Sequence, residues 1–328
     1  MKTLVIGDLH LEDKIEGHLN SQLGCIDTLI YEVKPDEIIF LGDVFMHRSP
    51  SPKVLAYLKS YIRSWKQKGS IHILRGNHDS ANKSDDHLTA LEVYRDPGVH
   101  IWSKAGKHNG KYFIPHYENE ETTRRLLSEC PENFKVFGHF GYHGCLNSAG
   151  DADSTLSLSD FQHKTYLGHI HNFKQDGLVT ILGTPYSTNF GEAGTKGYYL
   201  ILHESGEEEF IELDYGPRHV VASLDYVKEN MEDLADPNWF TLLRVNLLPG
   251  ESASDIPDGL SVDHLDIKVV PSFDEDSSFS AYKPRRDLFT INDQIIEDYV
   301  DTCLPEVQLS KEVLMSGYSL LKEGLNED

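Results

Sequence analysis

The chain is poor in basic residues, in cysteine and in long apolar runs. Its 30 Lys and Arg stand against 53 Asp and Glu, a formal net charge of −23 over 328 residues. Such a field repels polyanions at long range, and phosphate contacts from Lys and Arg normally supply most non-specific nucleic-acid affinity. A nucleic-acid substrate would therefore need cations from elsewhere, from metal ions or from a partner. The 4 cysteines, at positions 25, 130, 145 and 303, show no close pairing. That excludes a thiolate zinc cluster or a disulfide framework as the organising device and points to reduced thiols. No stretch approaches the ~20 apolar residues of a membrane span, and Met1-Lys2-Thr3 runs into a strand pattern without signal-peptide features. The expectation is a cytoplasmic protein, its 39% hydrophobic content sufficient for a globular core.

What the chain does have is a repeated strand ending. Glu37-Ile38-Ile39-Phe40-Leu41 leads into Gly42-Asp43. A continuous apolar run suits a parallel strand covered on both faces. One Gly-Asp is weak evidence, because both residues commonly open loops. Here the pattern recurs: Thr3-Leu4-Val5-Ile6 leads to Gly7-Asp8, Ile71-His72-Ile73-Leu74-Arg75 to Gly76-Asn77, Phe134-Lys135-Val136-Phe137 to Gly138-His139, and Thr165-Tyr166-Leu167 to Gly168-His169. Ligands of open α/β sheets bind beyond the carboxyl ends of the strands, so these ends should converge on one crevice with Asp43 as its central bridging carboxylate.

Between the strands, Leu19, Leu23, Ile26, Leu29 and Ile30 fall at helical spacing, as do Val54, Leu55, Leu58, Tyr61, Ile62 and Trp65 after Pro52. This β-α-β-α-β order predicts parallel strands with right-handed crossovers. A weaker helix is expected from Asp85 to Asp96. Val99–Trp102 and Lys111–Pro115 read as strands of the second half of the sheet. After His171 the texture turns to hairpins, and a core of residues 1–217 is expected to end near Pro217. Residues 218–272 read as a small α+β domain, 273–286 as an acidic, serine-rich linker, and 287–328 as a tail of two short helices.

Asp8 and His10 are two apart, as are His169 and His171, and alternation along an extended chain puts each pair on one side. With Asp43, Asn77 and His139 they make seven donors. One zinc site takes about four ligands, whereas two metals sharing a bridge accommodate seven. Four histidines mixed with carboxylates and an amide favour manganese, iron or zinc over magnesium, which prefers an all-oxygen octahedron. Any one of these histidines alone would read as structural; their agreement at five strand ends carries the argument.

Gly7-Asp8-Leu9-His10, Gly42-Asp43, Gly76-Asn77-His78-Asp79, Gly138-His139 and Gly168-His169-Ile170-His171, as an ordered set, resemble the five signature motifs of calcineurin-like metallophosphoesterases. Leu11 and the loop Gly183-Thr184-Pro185-Tyr186-Ser187-Thr188-Asn189-Phe190-Gly191-Glu192, with Gly197-Tyr198-Tyr199 beyond it, are similar to the SbcD-type nucleases of double-strand-break repair. Length, small domain and helical tail are most similar to the phage recombination endonuclease subunit of that group, whose place is the host cytoplasm.

The resemblance implies an α/β fold: a metallophosphoesterase sandwich of mixed β-sheets flanked by helices, with a small α+β cap and a helical tail. It implies one metal on Asp8, His10 and His171, another on Asn77, His139 and His169, and Asp43 bridging both. The ions would be two divalent metals, manganese first, with iron, zinc or magnesium as alternatives. A two-metal-activated water would hydrolyse a DNA phosphodiester, with His78 contacting the scissile phosphate or assisting the leaving oxygen. It further implies an SbcC-type ATPase partner and allows a homodimer; the apolar faces of the two C-terminal helices, Ile291 to Val300 and Leu309 to Leu321, are expected to dock that ATPase, the alternative being that they fold back on their own core.

One departure matters. Relatives often carry Asp or His three residues after the bridging aspartate, where it supports the histidine equivalent to His78; here the residue is Met46. His47 is left as a replacement, or His78 is oriented differently; Arg48 is a further candidate for phosphate contact. Two other readings compete. One is a phosphatase or cyclic-nucleotide phosphodiesterase of the same superfamily, against which stand Leu11 and Met46-His47, where protein phosphatases usually carry glycine and Asp-Arg. The other is a non-catalytic scaffold, against which stands the cost of keeping buried histidines and carboxylates without a metal.

Overall fold

The computed structural model describes residues 1–145, 154–192 and 199–270, and the expected linker and C-terminal helices lie outside them. Contacts gather the described residues into one compact unit. Within it, the chain alternates strand and helix: β1 (Lys2–Ile6), α1 (His18–Val33), β2 (Glu37–Phe40), α2 (Pro52–Trp65) and β3 (Ser70–Leu74). It continues with β4 (Val99–Trp102), β5 (Gly106–His108), β6 (Lys111–Ile114), α3 (Glu120–Ser128), β7 (Lys135–His139) and β8 (Thr165–Gly168). Two hairpins follow, β9 (Lys174–Asp176) with β10 (Val179–Ile181), and β11 (Tyr199–His203) with β12 (Glu208–Ile211).

These strands build two six-stranded mixed sheets, ordered β12-β11-β1-β2-β3-β4 and β5-β6-β7-β8-β10-β9. β1, β2, β3 and β4 are parallel, as are β6, β7, β8 and β10. The sheets close face to face over Val5, Ile39, Leu41, Leu74, Phe113, Phe137, Tyr166 and Leu200. Alternate residues of the same strands face outward: Leu4, Ile6, Ile38 and Phe40 pack beneath α1 and α2, while Ile114, Val136 and Leu167 pack with Leu126 and Leu127 of α3. Both faces of each central strand are thus covered, which is why these segments read as unbroken apolar runs rather than as alternation.

A third sheet follows, built from β13 (Gly216–Ser223), the helices α4 (Leu224–Glu229) and α5 (Met231–Leu234), β14 (Trp239–Leu247) and β15 (His264–Val269). Its order is β13-β14-β15, all parallel, over a core of Ala222, Leu224, Val227, Leu234, Leu243 and Val245. It meets the main body at α1, where Phe240 stacks on His18 with ring centroids 5.8 Å apart.

Two expectations are corrected. Val99–Trp102 belongs to the first sheet, paired in parallel with β3, and only Lys111–Ile114 joins the second. The helix expected over Asp85–Asp96 is reduced to a 3₁₀ turn at Ala90–Tyr94. Polar side chains compete with the helical ladder there: Asp86 accepts from Leu88 N–H, and Thr89 Oγ1 accepts from Leu91 N–H.

Candidate metal centre

The carboxyl ends of β1, β2 and β3 in one sheet meet those of β7 and β8 in the other, and the seven donors gather where they meet. Asp8, His10 and His171 form one group of mutually close ligand atoms, and Asp43, His139 and His169 form another. Asn77 Oδ1 lies 3.0 Å from His139 Nε2 and 2.9 Å from His169 Nδ1. Asp43 faces both sides: Oδ1 is 3.3 Å from His139 Nε2, and Oδ2 is 3.7 Å from His10 Nε2.

At Gly42, Gly76 and Gly168 a neighbouring donor occupies the space of the missing side chain. A Cβ on Gly76 would lie 2.1 Å from Asp43 Oδ1, and one on Gly168 would lie 2.4 Å from Asp8 Oδ1. The backbone is also held in an unusual shape. His10 (φ 46°), Asp43 (φ 45°) and His169 (φ 85°) all adopt left-handed conformations, each costing roughly 1–2 kcal/mol for a non-glycine residue. Such strain persists where the surrounding structure enforces it, typically at functional sites. Asp79 supplies part of that enforcement: buried, it accepts from the N–H groups of Val44, Phe45 and Gly76 and so ties the ends of β2 and β3 together. Burial and the charge of Asp43 raise its carboxyl to about 7.

Hydrogen bonds decide which ring atoms face the cluster. His139 Nδ1–H donates to Leu41 O at 2.8 Å, and His171 Nδ1–H donates to Glu192 Oε1 at 2.5 Å. Each ring therefore presents the lone pair of Nε2 inward. His139 Nε2, Asn77 Oδ1 and Asp43 Oδ1 then meet as three acceptors, and His171 Nε2 stands 3.0 Å from His10 Nε2 and 3.9 Å from Asp8 Oδ2. Burial lowers His139 and brings His10 to about 3, so these rings are neutral donors to a Lewis acid. Burial and the charge of Asp43 push Asp8 up. A buried group of converging lone pairs and carboxylates suits divalent cations, so the residues fit the metals that the motifs imply.

His78 is placed as an accessory group. Its N–H donates to Asp43 Oδ1 at 2.8 Å, and its Nδ1–H donates to Met46 O at 2.7 Å. The support that relatives draw from a side chain at position 46 comes here from the backbone carbonyl at that position. His47, exposed on the next residue, does not supply it. Arg48 donates to Ser80 O and Asn82 O and lies 3.6 Å from Glu118. It also lines a cleft of about 660 Å³ that opens beside Asn77 and His169 and includes Lys83, His116 and His143.

Two residues escaped sequence reasoning. His116, its ring 5.9 Å from that of His169, follows β6 as another strand-end histidine, but Pro115 stands where the motif has glycine. Burial brings it to about 3. Glu192 closes the Gly183–Glu192 loop, and its contact with His171 becomes visible only in three dimensions. Burial alone would raise Glu192, yet the hydrogen bonds from His171 and Thr188 bring it down to about 2.

A second histidine group, His72, His100 and His108, gathers where β3 and β4 face β5. Trp102 Nε1–H donates to His72 Nδ1 at 3.1 Å, which leaves the His72 proton on Nε2, 3.1 Å from Glu37 Oε1. His72 stacks on His100, Trp102 and Phe113, and the group reads as packing between the sheets.

A family model for calcineurin-like phosphoesterases matches residues 1–173. The chain belongs to the calcineurin-like phosphoesterase family. This phosphoesterase is 23% identical over 337 residues to the DNA double-strand break repair protein Mre11 of Nanoarchaeum equitans, covering 90% of this chain and 91% of that protein. Among solved structures, a nuclease MPE from Pseudomonas putida aligns with TM-score 0.33 and 14% identity over 64% of this chain and 87% of its own. A dimetal phosphatase from Danio rerio aligns with TM-score 0.42 and 11% identity over 65% of this chain and 98% of its own. The phosphoesterase is thus a hydrolase. Among the described residues, no helix is long and apolar enough to cross a membrane.

Proposed function

We propose that this phosphoesterase is a metal-dependent DNA nuclease, a subunit of a recombination and double-strand-break-repair complex. The observation that carries the reading is the paired donor cluster around Asp43 with His78 beside it, in a chain similar over 90% of its length to a double-strand break repair protein. Asp8, His10 and His171 would hold one divalent ion, Asn77, His139 and His169 the other, and Asp43 both, manganese being the preferred metal. Ions bound there supply charge neutralisation and a lowered water pKa. The chain's own residues do the rest. Leu41 O and Glu192 hold the His139 and His171 protons on Nδ1, and Met46 O does the same for His78, leaving its Nε2 to meet the scissile phosphate or the leaving oxygen. The cleft beside Asn77 is lined by Lys83 and Arg48 but also by Glu118 and Glu120, so cations held by the donor cluster would supply the positive charge that meets a phosphate.

In this reading residues 1–217 are the nuclease core, 218–272 a capping and DNA-recognition domain, 273–286 a linker, and 287–328 the element that docks an SbcC-type ATPase, in a homodimer. A basic partner would also offset the repulsion of DNA by a chain of charge −23. The test is hydrolysis of linear and single-stranded DNA with Mn²⁺, with and without the coexpressed ATPase, beside a phosphomonoester and an EDTA control. Mn²⁺-dependent DNA cleavage supports the reading. Hydrolysis of the phosphomonoester but not of DNA replaces it with the phosphatase reading.

A further inference from the structure

Glu192 is 6% exposed, and its whole carboxylate is engaged. Oε1 accepts from His171 Nδ1 at 2.5 Å and from Asn189 Nδ2 at 2.9 Å; Oε2 accepts from Thr188 N at 2.9 Å and Thr188 Oγ1 at 2.8 Å. With donors on both sides the group cannot turn, and it fixes the direction of the His171 ring. The same short loop is gripped from the small sheet. His219 of β13 donates its N–H to Ser187 Oγ at 2.9 Å and its Nδ1–H to Ser187 O at 3.0 Å. Phe190 meets the His219 ring edge-on at 4.9 Å. Arg244 of β14 lies 4.1 Å over the Phe190 ring, and its Nε donates to Asp266 of β15 at 2.6 Å. Contacts therefore run from β15 through Arg244 to Phe190, and the 3₁₀ turn Phe190–Glu192 carries the chain from there to Glu192 and its partner His171.

We infer that Glu192 is a positioning residue for His171, and that the small sheet sets the metal affinity of the Asp8–His10–His171 half of the cluster through the Ser187–Glu192 loop. The inference rests on the ligand assignment made above. An anionic hydrogen-bond acceptor on the outer nitrogen of a ligating histidine fixes its tautomer and raises its basicity, and losing it typically costs 10- to 100-fold in metal affinity. Glutamine does not replace it: one amide end accepts from His171, but the other then meets Thr188 N–H and O–H with a donor.

The experiment is calorimetric titration of the full chain with Mn²⁺, with electron paramagnetic resonance of the loaded protein to report coupling between ions, on the wild type, Glu192→Gln and Arg244→Met. Thermal melting in EDTA accompanies each variant. Glu192→Gln is expected to weaken one binding step by about 10- to 100-fold and leave the other unchanged. Arg244→Met, at a partly exposed site away from the donors, is expected to weaken the same step by a smaller factor. A merely structural role would instead lower the EDTA melting temperature and weaken both steps alike, which overturns the inference. So does wild-type affinity at both steps in Glu192→Gln. If Glu192→Gln does not fold, wild-type affinity in Arg244→Met is sufficient to overturn the link to the small sheet. A wild-type chain that binds no metal overturns the ligand assignment itself, and this inference with it.

Discussion

Substituting Gly76 by alanine tests whether its missing side chain is what admits Asp43. The added Cβ would lie 2.1 Å from Asp43 Oδ1, 2.3 Å from Asp43 N and 2.8 Å from Asp43 Cγ. Rotating the carboxylate relieves the first contact but not the second, so backbone must move. Restoring ordinary contact of about 3.5 Å calls for a displacement of roughly 1 Å. Asp43 is also held by His78 N–H at 2.8 Å and faces His139 Nε2 at 3.3 Å, so the shift propagates to both. Overpacking of this kind costs about 1–3 kcal/mol of stability. Metal bonding tolerates only about 0.2 Å, and a 1 Å misplacement costs about 100-fold in rate. Gly76→Ala is therefore expected to melt cooperatively in EDTA after a loss of about 1–3 kcal/mol, and to lose far more in metal affinity and turnover than that loss explains. Urea unfolding in EDTA, Mn²⁺ calorimetry and phosphodiester hydrolysis measure the three quantities. Two ions bound with wild-type affinity, together with normal turnover, would refute the reasoning.

Other substitutions separate the remaining roles. His78→Ala should lower turnover by about 10²- to 10⁴-fold with metal content unchanged, whereas Asp43→Ala should lose metal; near-normal kcat in His78→Ala removes its assigned role. Gly24→Ala, inside α1 with no atom within 4 Å of the new Cβ, should stabilise the fold by about 0.5–1 kcal/mol, read as a higher urea midpoint. Glu37 gives the pH dependence. Burial would raise it, but His72, Lys111 and Thr3 bring it from 4.5 down to about 2. Its folded pKa lies below its unfolded one, so its contribution, on the order of 3 kcal/mol, is present above pH 4.5 and is lost as pH falls toward 2. The stability gap between wild type and Glu37→Gln should accordingly be widest at neutral pH and close on acidification; a gap independent of pH contradicts the assignment.

The strand ends were legible because chemistry and packing coincide in them. A parallel strand covered on both faces must be apolar throughout, so the donor at its end stands out, and at Gly42, Gly76 and Gly168 the glycine before it marks where a neighbouring donor needs room. β4 was placed in the wrong sheet because a strand such as Val99–Trp102 carries no signal of which neighbour it pairs with; adjacency to β3 is set by tertiary packing. α3 was missed because only Thr123, Leu126 and Leu127 of its nine residues are buried, which leaves almost no apolar periodicity. The support of His78 by Met46 O could not be read at all, since any residue type presents a carbonyl. Glu192 was visible as part of a loop, but its partner His171 lies 21 residues away and on a different element.

The way donors seat in their neighbours' glycine spaces has a kinetic consequence. Asp8, at the end of β1, fits against Gly168 of the opposite sheet and accepts from the N–H of His169, 161 positions away. His139 of the second sheet likewise fills the space beside Gly42 of the first. The cluster is thus assembled only when the two sheets have closed on each other, a late event dominated by contacts distant in sequence. Interactions absent from the folding transition state slow unfolding and leave the folding rate nearly unchanged. A divalent metal held there should therefore act on this protein as a latch, lengthening the lifetime of the folded chain without hastening its formation.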